Sequence, residues 1–228
     1  VRKYFGSIPA GAAVAPVPVV APVTLTGETR LAMAARVDAP VVEMAWPTPP
    51  AEAPDDAALD LVAALLAGNR TSLLYSKLGD DMHIARDVHA HQASMAYGSE
   101  FTIRVTAAAG HTADEVIAAI DDVLRRLQAQ TPTTFLIDGA RASYLMNPLY
   151  GLQRFEELAN RYAECEFYRR KQPCMASWLA RYSSVAREEL SQVAGRWLPL
   201  DRRVVLIATP TEGAPIGGEL RGEAGGQP

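Results

Sequence analysis

The chain has 228 residues, 49% hydrophobic and 21% charged, and a formal net charge of −4. That balance can bury a sizeable core in one large domain or two small ones. It carries no basic stripe, aromatic platform among lysines or zinc-finger spacing, and no apolar run near the roughly 20 residues of a membrane helix, so nucleic acid and a membrane span are both excluded as expectations.

In chain order, "VRKYFGSIPAG" reads as the last turn of a helix whose body is absent, closed by Gly6. The chain starts at Val1 without a signal-peptide pattern, so it is read as a piece of a longer protein whose targeting signal lies upstream. Ala10 to Val23 is Ala, Val and Pro apart from Gly11, an extended linker, since repeated proline removes backbone donors. "TRLAMAARV" alternates, with Leu31, Met33, Ala35 and Val37 on one face of a strand, and "APVVEMAWP" predicts a second strand. Asp55 or Asp56 then caps a helix with the stripe Leu59, Val62, Leu65 and Leu66, ended by Gly68. A short helix spans about 72–78 and "GDD" breaks it. "ARDVHAHQASM" and "SEFTIRVTAAA" predict two strands joined around Tyr97-Gly98.

Thr112 and Glu115 form a capping box for a helix whose stripe is Val116, Ile117, Ile120, Val123, Leu124 and Leu127. Thr131-Pro132 starts a long helical stretch to about Phe167, and Asn147-Pro148 kinks or splits it. Two more helices, "CMASWLARYSS" and "REELSQVAGRWL", precede a last strand, "RRVVLIATP", whose run Val204 to Ile207 is consistent with burial on both faces. The composition beyond Pro210 predicts a disordered tail. Strands segregated from runs of helices indicate an α+β fold, a mixed or antiparallel sheet covered by helices on one side. The expected division is 1–24 for the end of a preceding domain and linker, 25–210 for the α+β domain and 211–228 for a flexible tail.

Candidate chemistry is sparse. His89 and His91 lie two apart on a predicted strand, so both rings share a face, and His83 lies across the turn. A metal site needs three or four converging ligands, and nothing in the spacing makes Asp80, Asp81 or Asp87 converge with them. The expectation is a solvated strand face, with an independent metal protein built on His83, His89 and His91 as the alternative. His111 belongs to a loop, and Glu156, Glu157, Glu164 and Glu166 to a solvated helix face. No G-x-S-x-G elbow, Walker loop or G-x-G-x-x-G is present. Trp46, Trp178 and Trp197 are read as packing residues. Cys165 and Cys174 are too few for a disulfide framework; two free thiols are expected, a single bridge being the alternative.

Four phrases in order, "VRKYFGSIP", "VVEMAWPTPP", "DDAALDLVAALLAGNRTSLLYSKLGDD" and "GRWLPLDRRVVLIATP", give a resemblance over about 1–210 to the second half of the two-domain repeat in the insulinase/pitrilysin zinc metallopeptidases, the inverzincins. The resemblance implies one half of a clamshell that closes around a peptide, with H-x-x-E-H on a helix of the other half. There two histidines bind zinc and the glutamate acts as general base on the bound water. The corresponding helix here, "LDLVAALLAGN", has no histidine, so no metal ligand is assigned in this chain. Zinc is implied for the full-length protein or a partner. The family's substrate-contacting arginine falls on Gly79 and its tyrosine, seven residues on, falls on Arg86. Neither residue matches, and Arg86 is retained as a substrate-binding candidate that can donate hydrogen bonds in its own way. No catalytic residue is assigned, and this chain alone is expected to be inactive. Implied partners are an upstream catalytic half, a second clamshell subunit and a peptide substrate. The alternative is a catalytically degenerate scaffold or assembly subunit of the same fold. The implied compartment is periplasm or cytoplasm, the periplasm ahead.

Overall fold

Alternation of apolar and polar residues builds one open sheet. The computed structural model describes residues 2–9, 11–13, 15, 23–168 and 174–223. Its strands are β1 (Thr29–Ala35), β2 (Val41–Thr48), β3 (Ala85–Ala93), β4 (Ser99–Ala107), β5 (Val204–Pro210) and β6 (Glu219–Glu223), in the order β3-β4-β2-β5-β1-β6. β1 runs parallel to β5 and the other neighbours are antiparallel, so the sheet is mixed. The helices are α1 (Arg2–Phe5), α2 (Asp56–Ala67), α3 (Ala113–Ala129), α4 (Thr134–Gly151), α5 (Phe155–Tyr168), α6 (Cys174–Ser184) and α7 (Arg187–Trp197), with a π-helix at Tyr75–Asp81. The fold is α+β as expected. The Ala10–Val23 linker lies mostly outside the described residues.

The core sits between one sheet face and the helices. Val42, Met44 and Trp46 of β2 and Phe101, Ile103 and Val105 of β4 are buried there with the apolar residues of α2, α3 and α7. Each such side chain contributes about 1.5–3 kcal/mol by leaving water. α3 buries the whole stripe expected of it, and its capping box is formed by Thr112 and Glu115. α2 is buried from Asp56 to Leu66, on all sides rather than along one stripe. The opposite sheet face holds a small apolar cluster of Ala35, Val41 and Ala208 with Met33 and Val37 against it.

Several expectations are corrected. Asp55 occupies the N-cap position of α2 but makes no side-chain cap; its carboxylate accepts from Arg196 and from the Trp197 indole N–H, at 2.5 and 2.7 Å. "GDD" does not break the short helix but completes the π-helix, which ends at Asp81. α4 starts at Thr134, capped by Thr133, so Pro132 precedes the helix instead of opening it. Pro148 lies within the last turn of α4, and the break falls after Gly151. In β5 Val205 is buried while Val204, Leu206 and Ile207 are half-buried, because the helices cover one face. The Gly-rich segment read as a tail carries β6, which pairs with β1 and closes that sheet edge. Cys165 is in a disulfide and not a free thiol, the expectation that two free thiols are present being overturned. The Cys174 side chain lies outside the described residues.

Candidate functional site

The π-helix and the start of β3 place the residues singled out by sequence. The wide turn is closed by Met82 N–H donating to the Lys77 carbonyl at 3.1 Å, a five-residue step. His83 follows with φ 55°, a left-handed conformation unusual for a side chain beyond glycine. Its Nδ1 lies 2.8 Å from the Gly79 carbonyl, the imidazole N–H donating. Gly79 is within the π-helix, and Arg86 is the extra residue of a bulge at the free edge strand, since Ala85 opposes Ala107 while Asp87 opposes Thr106. The Arg86 guanidinium is exposed and its Nε donates to Asp87 at 3.4 Å.

His89 and His91 share the open sheet face, opposite Arg104 and Thr102 of β4, and both are exposed. Arg104 in turn donates to Glu43 at 3.2 Å. His83 is held at the turn by Gly79 and is not brought onto that face. Among the described residues no group of three His, Cys, Asp or Glu side chains could hold a metal ion. The residues present do not fit zinc: α2, the helix that resembles the zinc helix, presents Leu59, Leu61, Val62, Leu65 and Leu66 to the core.

α2 carries another arrangement that sequence reasoning passed over. Asp56 and Asp60, one helical turn apart, are both buried. Asp56 accepts from Ser94 at 2.6 Å, from the Glu52 backbone N–H at 2.9 Å and from Arg181 at 2.9 Å. Arg181 also donates to Glu52 at 2.6 Å. Asp60 accepts from the Tyr182 hydroxyl at 2.9 Å, and the Tyr182 and Tyr144 hydroxyls are 3.1 Å apart. Burial, then the neighbouring Asp56 carboxylate, pushes the Asp60 pKa up to about 7, against the hydrogen bonds of Tyr144 and Tyr182 and the Arg181 charge. Burial and Asp60 raise both tyrosines above the ordinary phenol range, which keeps them as donors. The signal was in the sequence: an aspartate inside "LDLVAALL", four residues after another, is a charge at a position the helix must bury. The chemistry these groups can do is proton exchange between the carboxyl and the two hydroxyls.

The sequence matches the family described as Peptidase M16 inactive domain over residues 1–144. Among solved structures the chain is similar to a protease from Helicobacter pylori, with a TM-score of 0.81 and 18% identity over 92% of this chain and 51% of that one. It is similar also to a peptidase M16 inactive domain from Pseudomonas fluorescens, with a TM-score of 0.73 and 17% identity over 92% of this chain and 49% of that one. A conserved protein from Enterococcus faecalis gives a TM-score of 0.66 and 16% identity over 90% and 46%. These likenesses show the fold, and the chain spans about half the length of each of the three. None of the curated proteins compared with it matches. With the α+β fold and a family match over more than half its length, the chain belongs to the peptidase M16 inactive-domain family, a non-catalytic half within the insulinase/pitrilysin metallopeptidases.

Proposed function

We propose that this chain helps enclose and bind a peptide substrate that an H-x-x-E-H half hydrolyses elsewhere, either upstream in the same protein or in a partner. The observation that carries the reading is membership of the inactive-domain family together with a buried, histidine-free α2. Zinc held by that H-x-x-E-H half would supply the Lewis acid and the activated water. This half supplies a wall of the chamber. Arg86 is the residue proposed to touch substrate: it is exposed at the bulge that ends a free sheet edge, where an extended peptide could accept from its guanidinium.

The test is kinetic. In the full-length protein, Arg86→Ala lowers kcat/KM on a peptide substrate by about fivefold through KM, as loss of one exposed charge-assisted hydrogen bond does. An unchanged kcat/KM removes Arg86 from the substrate surface. Full-length protein without zinc or activity would favour the scaffold reading over the enclosing half.

A further inference from the structure

Asp60 stands between two cavities. One, of about 200 Å³, is lined from α2, α4, α5 and α6, including Asp56, Asp60, Tyr144, Arg161 and Tyr182. The other, of about 230 Å³, lies among α2, β3 and α4 and includes Asp60, His91, Gln92, Tyr144 and Asn147. The tyrosines that meet at this carboxyl come from different helices, Tyr144 from α4 and Tyr182 from α6. Trp178, one turn before Tyr182, packs edge-on against its ring at 5.8 Å between centroids. α4 and α6 are therefore both fastened to α2 at one point, with space on either side of it.

The surroundings favour a neutral carboxyl. From α2 and the loop before it, the facing groups are Asp56 and Glu52; from α6, Arg181 and Tyr182; from α4, Tyr144; from α5, Arg161 and Glu164; His91 of β3 lines the second cavity but is exposed on the open sheet face. Of the cations, Arg181 is engaged by Asp56 and Glu52, at 2.9 and 2.6 Å. Arg161 is engaged by Glu164 at 2.8 Å and stacks 4.9 Å from the Trp178 ring centroid. An ionised Asp60 would add a buried negative charge beside Asp56, with the nearby guanidiniums already committed. The two hydroxyls favour the carboxylate, but burial and the Asp56 charge outweigh them. We propose that Asp60, Tyr144 and Tyr182 form a proton-operated latch, which holds α4 and α6 against α2 while Asp60 is protonated and loosens them when it ionises. Water entering from the two cavities then solvates the carboxylate.

The sign follows from linkage. The Asp60 pKa is about 7 in the fold and 3.8 when exposed, so the closed form binds the proton more tightly than the open one. The latch is at full strength below the exposed value. It weakens about tenfold per pH unit as the pH rises toward the folded value, and levels off above it.

Hydrogen exchange of this chain between about pH 5 and 8.5, corrected for the intrinsic rate, reads the latch directly. Protection in 175–184 of α6 and 140–150 of α4 should fall about tenfold per unit up to pH 7 and then level, while α3 stays flat. Asp60→Asn keeps the size and hydrogen-bonding capacity, and should abolish the slope. Should that variant fail to fold, Asp56→Asn removes the neighbouring carboxylate that disfavours the ionised form and should move the levelling to lower pH. Flat protection in the parent, an Asp60→Asn variant with the parent's slope, an unmoved levelling point in the Asp56→Asn variant, or a parallel loss in α3 would each overturn the latch.

Discussion

At the scale of single residues, stability rests on a few charges taken out of water in company. Arg203 is 1% exposed. Its Nε donates to Glu28 at 2.7 Å and its two terminal nitrogens donate to the two oxygens of Asp121, one of them at 3.0 Å. This ties the segment before β1 and helix α3 to the start of β5. Arg203→Ala leaves two carboxylates facing each other and should cost about 3 kcal/mol in urea unfolding, where Arg203→Met costs less. Burial pushes the Glu28 carboxyl up, but the hydrogen bonds and charges of Arg30 and Arg203 outweigh it and hold its pKa below the usual range. That contribution is present above the unfolded value of 4.5 and is lost as the pH falls through the folded one, so Arg203→Ala should also flatten the acid limb of the stability profile. His83 is a second case. Its φ of 55° costs most L residues about 1–2 kcal/mol, so His83→Gly should leave stability equal or raise it by up to about 1 kcal/mol, while His83→Val lowers it by about 2. Neither feature was legible in the sequence: Arg203 adjoins Arg202 in a polar turn, and a histidine carries no mark of a left-handed backbone.

At the scale of elements, what was legible was what repeats. The 3.6-residue stripe and capping box gave α3 in full, and period-2 alternation marked β1 and β4, with β4 forming the expected hairpin with β3. Elements set by single turns were misjudged. Pro132 suggested a first turn, but the cap is Thr133, which accepts from the Leu136 N–H at 3.4 Å. Thr133→Ala should cost about 1 kcal/mol and raise exchange in the first turn of α4. The sequence predicts a short helix over about 72–78 because Gly79 and two aspartates look like a stop, while the five-residue closure of the π-helix has no compositional signature. β6 was hidden for a different reason: Glu219–Glu223 is polar because it pairs at an edge, and edge pairing needs no apolar alternation.

At the scale of the whole molecule, the α+β class followed from strands segregated from helices, and the family from the order of four short phrases. What set the candidate site apart from an active one was also legible, as the absence of histidine from "LDLVAALLAGN". The Asp60 network was legible only in part. Two aspartates four apart on an apolar helix mark a buried polar pair, but their partners Tyr144 and Tyr182 lie 84 and 122 positions further along the chain, beyond any local pattern. α2 is thus buried in an apolar core, with a hydrogen-bond network at Asp60.

The most direct measurement of the central claim is zinc content together with peptide hydrolysis, made side by side on this chain and on the full-length protein. The account predicts no stoichiometric zinc and no hydrolysis for this chain, with both in the full-length protein. Stoichiometric zinc or peptidase activity in this chain alone would contradict it.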